Sequence, residues 1–161
     1  MTAASQPALL PSPYLYMVAG GLVAGTLDMS YACIFWAIKA GVTPLRIFQS
    51  VAAGLLGKAS FDGGAATAAL GLSLHYFIAT TMALAYYLVA KRWALLTRQP
   101  GLFGATYGLL LYLIMNYIVV PLSAAGPGSK DPLWVALSIA VHVLLIGLPC
   151  ALFARLALRT R

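Results

Sequence analysis

Residues Gly20 to Asp28 read Gly-Gly-Leu-Val-Ala-Gly-Thr-Leu-Asp, a glycine-rich run that ends in a carboxylate inside a long apolar segment. Asp28 is the only acidic residue within any long apolar segment of the chain. Small residues at four-residue spacing let membrane helices approach closely, whereas a carboxylate at the centre of a membrane helix costs about 2.5–3.5 kcal/mol on insertion scales. The run therefore predicts a tightly packed membrane helix that turns Asp28 toward the interior of a bundle.

The composition of the whole chain supports a membrane location. Hydrophobic residues make up 62% of the 161 residues, charged residues make up 8%, and the mean hydropathy is +0.92. Soluble domains are about half apolar and a quarter charged. The net charge of +7 comes from bases that flank the apolar runs. That pattern is typical of headgroup anchors and does not indicate nucleic-acid binding.

Four apolar segments predict membrane spans within a single all-α domain, because a span needs about 20 residues. These segments cover residues 14–38, 65–90, 102–122 and 133–155. Pro149 is expected to kink the fourth span. Between the first two, residues 45–58 place Leu45, Phe48, Ala52 and Leu55 at helical spacing opposite Arg46, Gln49 and Ala53. This segment is too short and too polar to span, so we expect an amphipathic helix that is interfacial or re-entrant.

The distribution of basic residues predicts the topology. With four spans, six basic residues share the side of both termini, against four on the other side (Lys91, Arg92, Arg98, Arg155, Arg159 and Arg161 against Lys39, Arg46, Lys58 and Lys130). The positive-inside rule favours cytoplasmic termini. The first thirteen residues lack the basic region of a signal peptide, so we expect the first apolar segment to be a mature membrane helix.

Small residues at four-residue spacing predict a packing seam in each span. The pairs are Gly21 and Gly25, Ala69 and Ser73, Gly104 and Gly108, and Ala136 and Ala140. We expect these seams to hold the bundle together and to favour self-association.

Each predicted span contains one residue that is unusual in hydrocarbon: Asp28, His75, Asn116 and His142. A helix rises about 1.5 Å per residue, which places all four in one layer at or near the bilayer midplane. This polar layer predicts a site that binds or relays a proton or another small polar solute. Because a 17 kDa unit offers little room for alternating access, transport would require an oligomer.

Several other interpretations of the polar layer remain open. In an accessory subunit or a lipid-binding scaffold, its members would form hydrogen bonds between helices, each of which contributes about 0.6 kcal/mol. His75 and His142 would ligate a haem, or a metal together with Asp28. No His-x-x-x-His or Cys-x-x-Cys spacing accompanies them, so the cofactor stays undetermined. The chain has no nucleophile elbow, phosphate loop or catalytic carboxylate pair, so we do not predict an enzyme.

A set of motifs extends along most of the chain: Gly20-Gly21-x-x-Ala24-Gly25-x-x-Asp28, Pro44, Gln49-x-x-Ala52-x-Gly54-x-x-Gly57, His75, Asn116 and Pro121. This set resembles the YagU-like small proteins of the bacterial inner membrane. The resemblance implies a bacterial inner-membrane location and four helices. It implies no activity and no catalytic residues, and His142 lies outside the pattern.

Overall fold

The computed structural model describes residues 12–159, and this part of the chain is helical with no strand. Four of its helices are long and apolar enough to cross a membrane, namely Pro13–Ala40, Gly64–Ala90, Pro100–Leu122 and Pro132–Arg159. The predicted all-α, four-span architecture is confirmed. The fourth helix continues four residues beyond the predicted end at Arg155. The predicted location of the two termini concerns residues outside the described part.

The spans begin where the sequence supplies helix-starting residues. Proline occupies the first position of α1 (Pro13–Ala40), α2 (Pro44–Leu56), α5 (Pro100–Ile114) and α7 (Pro132–Val141). A proline is tolerated there because the first N–H groups of a helix have no intrahelical partner. At the start of α7, the Asp131 carboxylate accepts a hydrogen bond of 2.9 Å from the Trp134 backbone N–H.

The short helix predicted between the first two spans is α2, which has 13 residues. A helix of this length measures about 20 Å and cannot cross a bilayer. It leads through the 3₁₀ segment Gly57–Asp62 into α3 (Gly64–Ala90) and packs on that helix. A one-turn helix, α4 (Leu95–Arg98), follows α3 and precedes α5. Gln49, expected on the polar face, is buried, and its Nε2 donates to the Gly64 carbonyl at 3.0 Å. This hydrogen bond therefore connects α2 to the first residue of α3.

The third and fourth spans each contain a π-helical segment that ends two residues before a proline. Met115–Val119 separates α5 from α6 (Val120–Leu122), and His142–Gly147 separates α7 from α8 (Leu148–Arg159). In each case the residue before the proline bonds five residues back, from Val120 N to Met115 O and from Leu148 N to Val143 O. Proline lacks an N–H and crowds the preceding turn, which the wider turn accommodates. The expected kink at Pro149 thus coincides with a π segment.

Glycines mark the closest helix contacts. A Cβ at Gly21 would collide with the Thr80 backbone of α3, and one at Gly25 would lie 3.0 Å from the Tyr76 ring. Gly104 and Gly108 pack against the fourth span in the same way, at Gly147 and His142 respectively. The small pairs predicted in α3 and α7 (Ala69, Ser73, Ala136 and Ala140) are instead exposed. Spacing alone does not distinguish a face that meets a neighbouring helix from one that faces outward.

We expect Gly108→Ala to destabilise the protein. The added Cβ would overlap the His142 carbonyl and lie 2.7 Å from Val143 Cα. Overpacking of this kind costs about 1–3 kcal/mol. Gly101→Ala is the matched control on the same helix, because a Cβ there meets nothing within 4 Å. Thermal unfolding in detergent should show a lower melting temperature for the Gly108 variant alone, and equal values for both would contradict the proposed contact.

The bundle is densely packed in one half and hollow in the other. The packed half, on the side of Pro13 and Arg159, is a core of buried side chains from α1, α3, α5 and α8 that includes Met17, Tyr87, Leu111 and Cys150. The hollow half lies beneath α2 and the α6–α7 loop, where the Ala124 N–H donates to the Gly54 carbonyl at 3.0 Å. The cavity therefore lies on the α2 side of this packed core.

Candidate functional site

The cavity has a volume of about 340 Å³ and is lined by all four spans and by α2. The predicted polar residues Asp28, His75, Asn116 and His142 all lie on its wall. Most of the remaining wall is apolar, with side chains such as Met29, Ile78, Met115 and Ile146. The structure thus brings the four residues together around one space, whereas the sequence placed them only at one depth.

Two helix faces carry the site. On α1, Asp28, Ala32 and Trp36 recur every four residues, and on the fourth span Trp134, Ser138 and His142 do the same. Residues at this spacing share a face of a helix. Tyr31 connects the two faces, because its hydroxyl lies 3.4 Å from both the Trp134 carbonyl and Ser138 Oγ. Each face carries a tryptophan at its end near α2 and a polar or charged residue, Asp28 or His142, at its end deeper in the bundle.

The hydrogen bonds of the two histidines identify their neutral tautomers. His75 Nε2 lies 2.8 Å from the Gly25 carbonyl, and His142 Nδ1 lies 2.9 Å from the Ser138 carbonyl. A carbonyl oxygen only accepts, so each of these nitrogens carries the proton. In the neutral rings, His75 Nδ1 and His142 Nε2 therefore remain as lone-pair acceptors.

The glycine run explains how His75 reaches α1. Without side chains at Gly21 and Gly25, α3 approaches until the His75 ring bonds the Gly25 carbonyl directly. On the third span, Asn116 Nδ2 donates to the Tyr112 carbonyl at 2.9 Å, so its amide oxygen remains an acceptor. Of the four predicted polar residues, only Asn116 retains a free donor, its second amide N–H.

Asp28 is the least satisfied member of the site. Its carboxylate accepts no hydrogen bond from any side chain in residues 12–159, and His75 Nε2 lies 4.0 Å from its Oδ2. That nitrogen is already directed at Gly25. The side chain of Asp28 is 24% exposed, and this exposure is toward the cavity that it lines. A carboxylate in this position requires a proton or a cationic partner.

The haem and metal interpretations find little support in this geometry. No group of three or more His, Cys, Asp or Glu side chains within the described chain is arranged to hold a metal ion. At about 340 Å³ the cavity lies near the lower end of the range for small-molecule sites, about 300–1,000 Å³. A space of this size suits a ligand much smaller than a tetrapyrrole.

An aromatic neck joins the cavity to a wider vestibule of about 520 Å³ under the α6–α7 loop. Seven residues line both spaces: Trp36, Ile47, Ser50, Asn116, Val120, Ala125 and Trp134. The Trp134 ring stacks on Tyr31 with centroids 5.2 Å apart and contacts Trp36 at 5.3 Å. Access from the α2 side therefore passes beside this pair of contacting tryptophan rings.

An ion pair connects the end of α1 to the start of α7 beside the neck. Lys39 Nζ, in the last turn of α1, lies 2.7 Å from Asp131 Oδ2 at the start of α7. The hydrogen bond from Lys39, followed by that from the Trp134 backbone N–H, lowers the pKa of Asp131 below its ordinary value of 3.8. Each charge also complements the dipole of its own helix end. The pair therefore keeps the end of α1, with Trp36, beside the start of α7, with Trp134.

The sequence prediction missed the residues of the neck. Trp36, Ser50, Trp134 and Ser138 line the cavity but were not among the predicted site residues. A usable signal was present on α1 and α7, because Trp36 and Trp134 are each eight residues from a predicted member. For Ser50 no such signal exists, since its position depends on how α2 docks.

Comparisons with protein-family models, curated protein sequences and solved structures found no match to this chain. The resemblance to YagU-like proteins therefore stays a prediction, and the function must be inferred from the cavity.

Proposed function

We propose that the protein binds a proton or another small polar solute at Asp28 and translocates it across the bacterial inner membrane as an oligomer. The observation that carries this proposal is the Asp28 carboxylate, which faces a cavity without a hydrogen-bond partner among the described side chains. Intramembrane carboxylates of this kind are typical of ion and proton pathways.

The arrangement of the cavity supports a directional pathway. The vestibule opens on the side of Lys39 and Arg46, whereas the packed core closes the side toward the termini. With cytoplasmic termini, as the positive-inside rule favours, the open side would be non-cytoplasmic. Release to the other side then requires the fourth span to rearrange at its π segment or a second subunit to complete the path.

An oligomer or a partner subunit is consistent with the outward faces of the bundle. Ala69 and Ser73 on α3, and Ala136 and Ala140 on α7, are exposed at four-residue spacing. Such faces let a second membrane helix approach closely. The same faces would serve the alternative function, an accessory subunit or lipid-binding scaffold whose polar layer only fixes helix register.

Asp28→Asn separates translocation from this alternative. The substitution keeps the shape and polarity of the side chain and removes its charge. In liposomes with an internal pH-sensitive dye and an imposed potential, proton flux should fall to that of protein-free vesicles. Asp62→Asn is the control, because Asp62 is exposed and lies outside the cavity. An active wild type with unchanged flux in Asp28→Asn would contradict the proposal, and an inactive wild type would favour the scaffold.

A further inference from the structure

The charge of the cavity wall restricts the kind of ligand it accepts. Within residues 12–159, Asp28 is the only acidic residue that lines the cavity, and no Lys or Arg joins it there. Among the described residues that line the adjoining vestibule, Arg46 is the only charged one, and its guanidinium lies 4.4 Å from the centroid of the Phe61 ring. The interior therefore presents one uncompensated carboxylate, which favours a cation of single charge.

The hydrogen-bonding groups of the wall narrow the choice further. The free edges of the four polar residues are the Asp28 oxygens, the Asn116 amide oxygen, one nitrogen on each neutral imidazole and a single donor, the second amide N–H of Asn116. The hydroxyls of Ser50 and Ser123 donate to the carbonyls of their own helices. These free edges are mainly acceptors, which suit a ligand with several donors and no acceptor.

The apolar part of the wall indicates what the rest of the ligand is. Trp36 and Trp134 line the neck, and tryptophan is the aromatic side chain that attracts cations most strongly. Met29, Ile78 and Ile146 surround the space beyond it. A volume near the lower end of the range for small-molecule sites favours a small ligand.

From these observations we infer that the cavity binds a small primary ammonium ion with an apolar substituent. The ammonium group donates to Asp28 and Asn116, and the substituent packs against the Met and Ile side chains. This inference rests on the proposed function, because it names the solute that the same site would take. The ammonium is supplied either by a free amine or by an aminated lipid headgroup that enters from the vestibule.

Calorimetry on the purified protein in phosphatidylcholine nanodiscs tests the inference with n-butylammonium, 1-butanol and butyrate as probes. We expect n-butylammonium to bind at least about tenfold more tightly than the other two, because charge-assisted hydrogen bonds exceed neutral ones by that factor. Asp28→Asn should remove this preference. Ser50→Trp should prevent binding by filling the neck while leaving the polar residues intact, which keeps the test valid if the Asp28 variant does not fold.

Three results would overturn the inference: equal affinity for 1-butanol, tighter binding of butyrate, or unchanged n-butylammonium affinity in folded Asp28→Asn. Tighter butyrate binding would show that Arg46 sets the charge preference.

Proton flux that depends on Asp28 without n-butylammonium binding would leave the proposed function standing and would overturn only the inference that the ligand is an ammonium ion. Weaker n-butylammonium binding in nanodiscs that contain phosphatidylethanolamine would support a headgroup ammonium as competitor, and unchanged binding would support a free amine.

Discussion

Ser50→Trp should abolish proton flux through the reconstituted protein. Ser50 lies on α2 and lines both the cavity and the vestibule, and its hydroxyl donates to the Ile47 carbonyl of the same helix at 2.7 Å. An indole at this position would project into the neck beside Trp36 and Trp134. Because none of the four polar residues contacts Ser50 by a hydrogen bond, the expected loss comes from blocked access.

Leu55→Trp is the matched control for this variant. Leu55 lies on the same helix, is 64% exposed and lines neither space. Proteoliposome flux at the level of protein-free vesicles for Ser50→Trp, with wild-type flux for Leu55→Trp, is the predicted pair of results. Wild-type flux from both variants would show that solutes reach Asp28 by another route.

Trp134→Ala should cause the largest loss of stability among single substitutions at the neck. The ring contacts Tyr31, Phe35 and Trp36 with centroid distances of 5.2, 5.0 and 5.3 Å. Truncating a packed tryptophan costs about 3–5 kcal/mol in well-packed sites, and each aromatic pair contributes about 0.5–1.5 kcal/mol of such a loss. Since Trp134 is only partly buried, we expect a decrease of about 3 kcal/mol in the free energy of unfolding.

Denaturant unfolding in mild detergent measures this effect, with Trp93→Ala as the control. Trp93 is 65% exposed, lies outside the cavity and shares no ring contact with another described aromatic residue. The control should unfold within about 0.5 kcal/mol of wild type, as surface substitutions usually do. Equal stability of the two variants would contradict the role of the aromatic neck as a structural clamp.

The four spans were predictable because each is a long apolar run bounded by proline, glycine or basic residues. The same reasoning located a short helix between the first two, since residues 45–58 are helical in pattern and too polar to span. It did not predict the burial of Gln49, because that depends on the Gly64 carbonyl of another element. The π segments were also missed, although a proline follows each of them at Pro121 and Pro149.

The polar site was predictable only in part. Depth along a span follows from residue number, so Asp28, His75, Asn116 and His142 could be assigned to one layer. The rotation of each helix about its own axis is set by tertiary packing, and it cannot be deduced from the sequence alone. The cavity, its opening toward α2 and the vestibule under the α6–α7 loop therefore required the structure.

The acceptor character of the cavity depends on the protonation of two imidazoles, and the chain contains only two histidines. Nitrogen-15 solid-state NMR of the protein in bilayers at about pH 8, where an ordinary imidazole is neutral, observes both rings directly. The structure predicts His75 protonated on Nε2 and His142 protonated on Nδ1, with the other nitrogen of each ring bare. The reverse pair of tautomers would place donors where the cation is proposed to bind and would contradict the site described above.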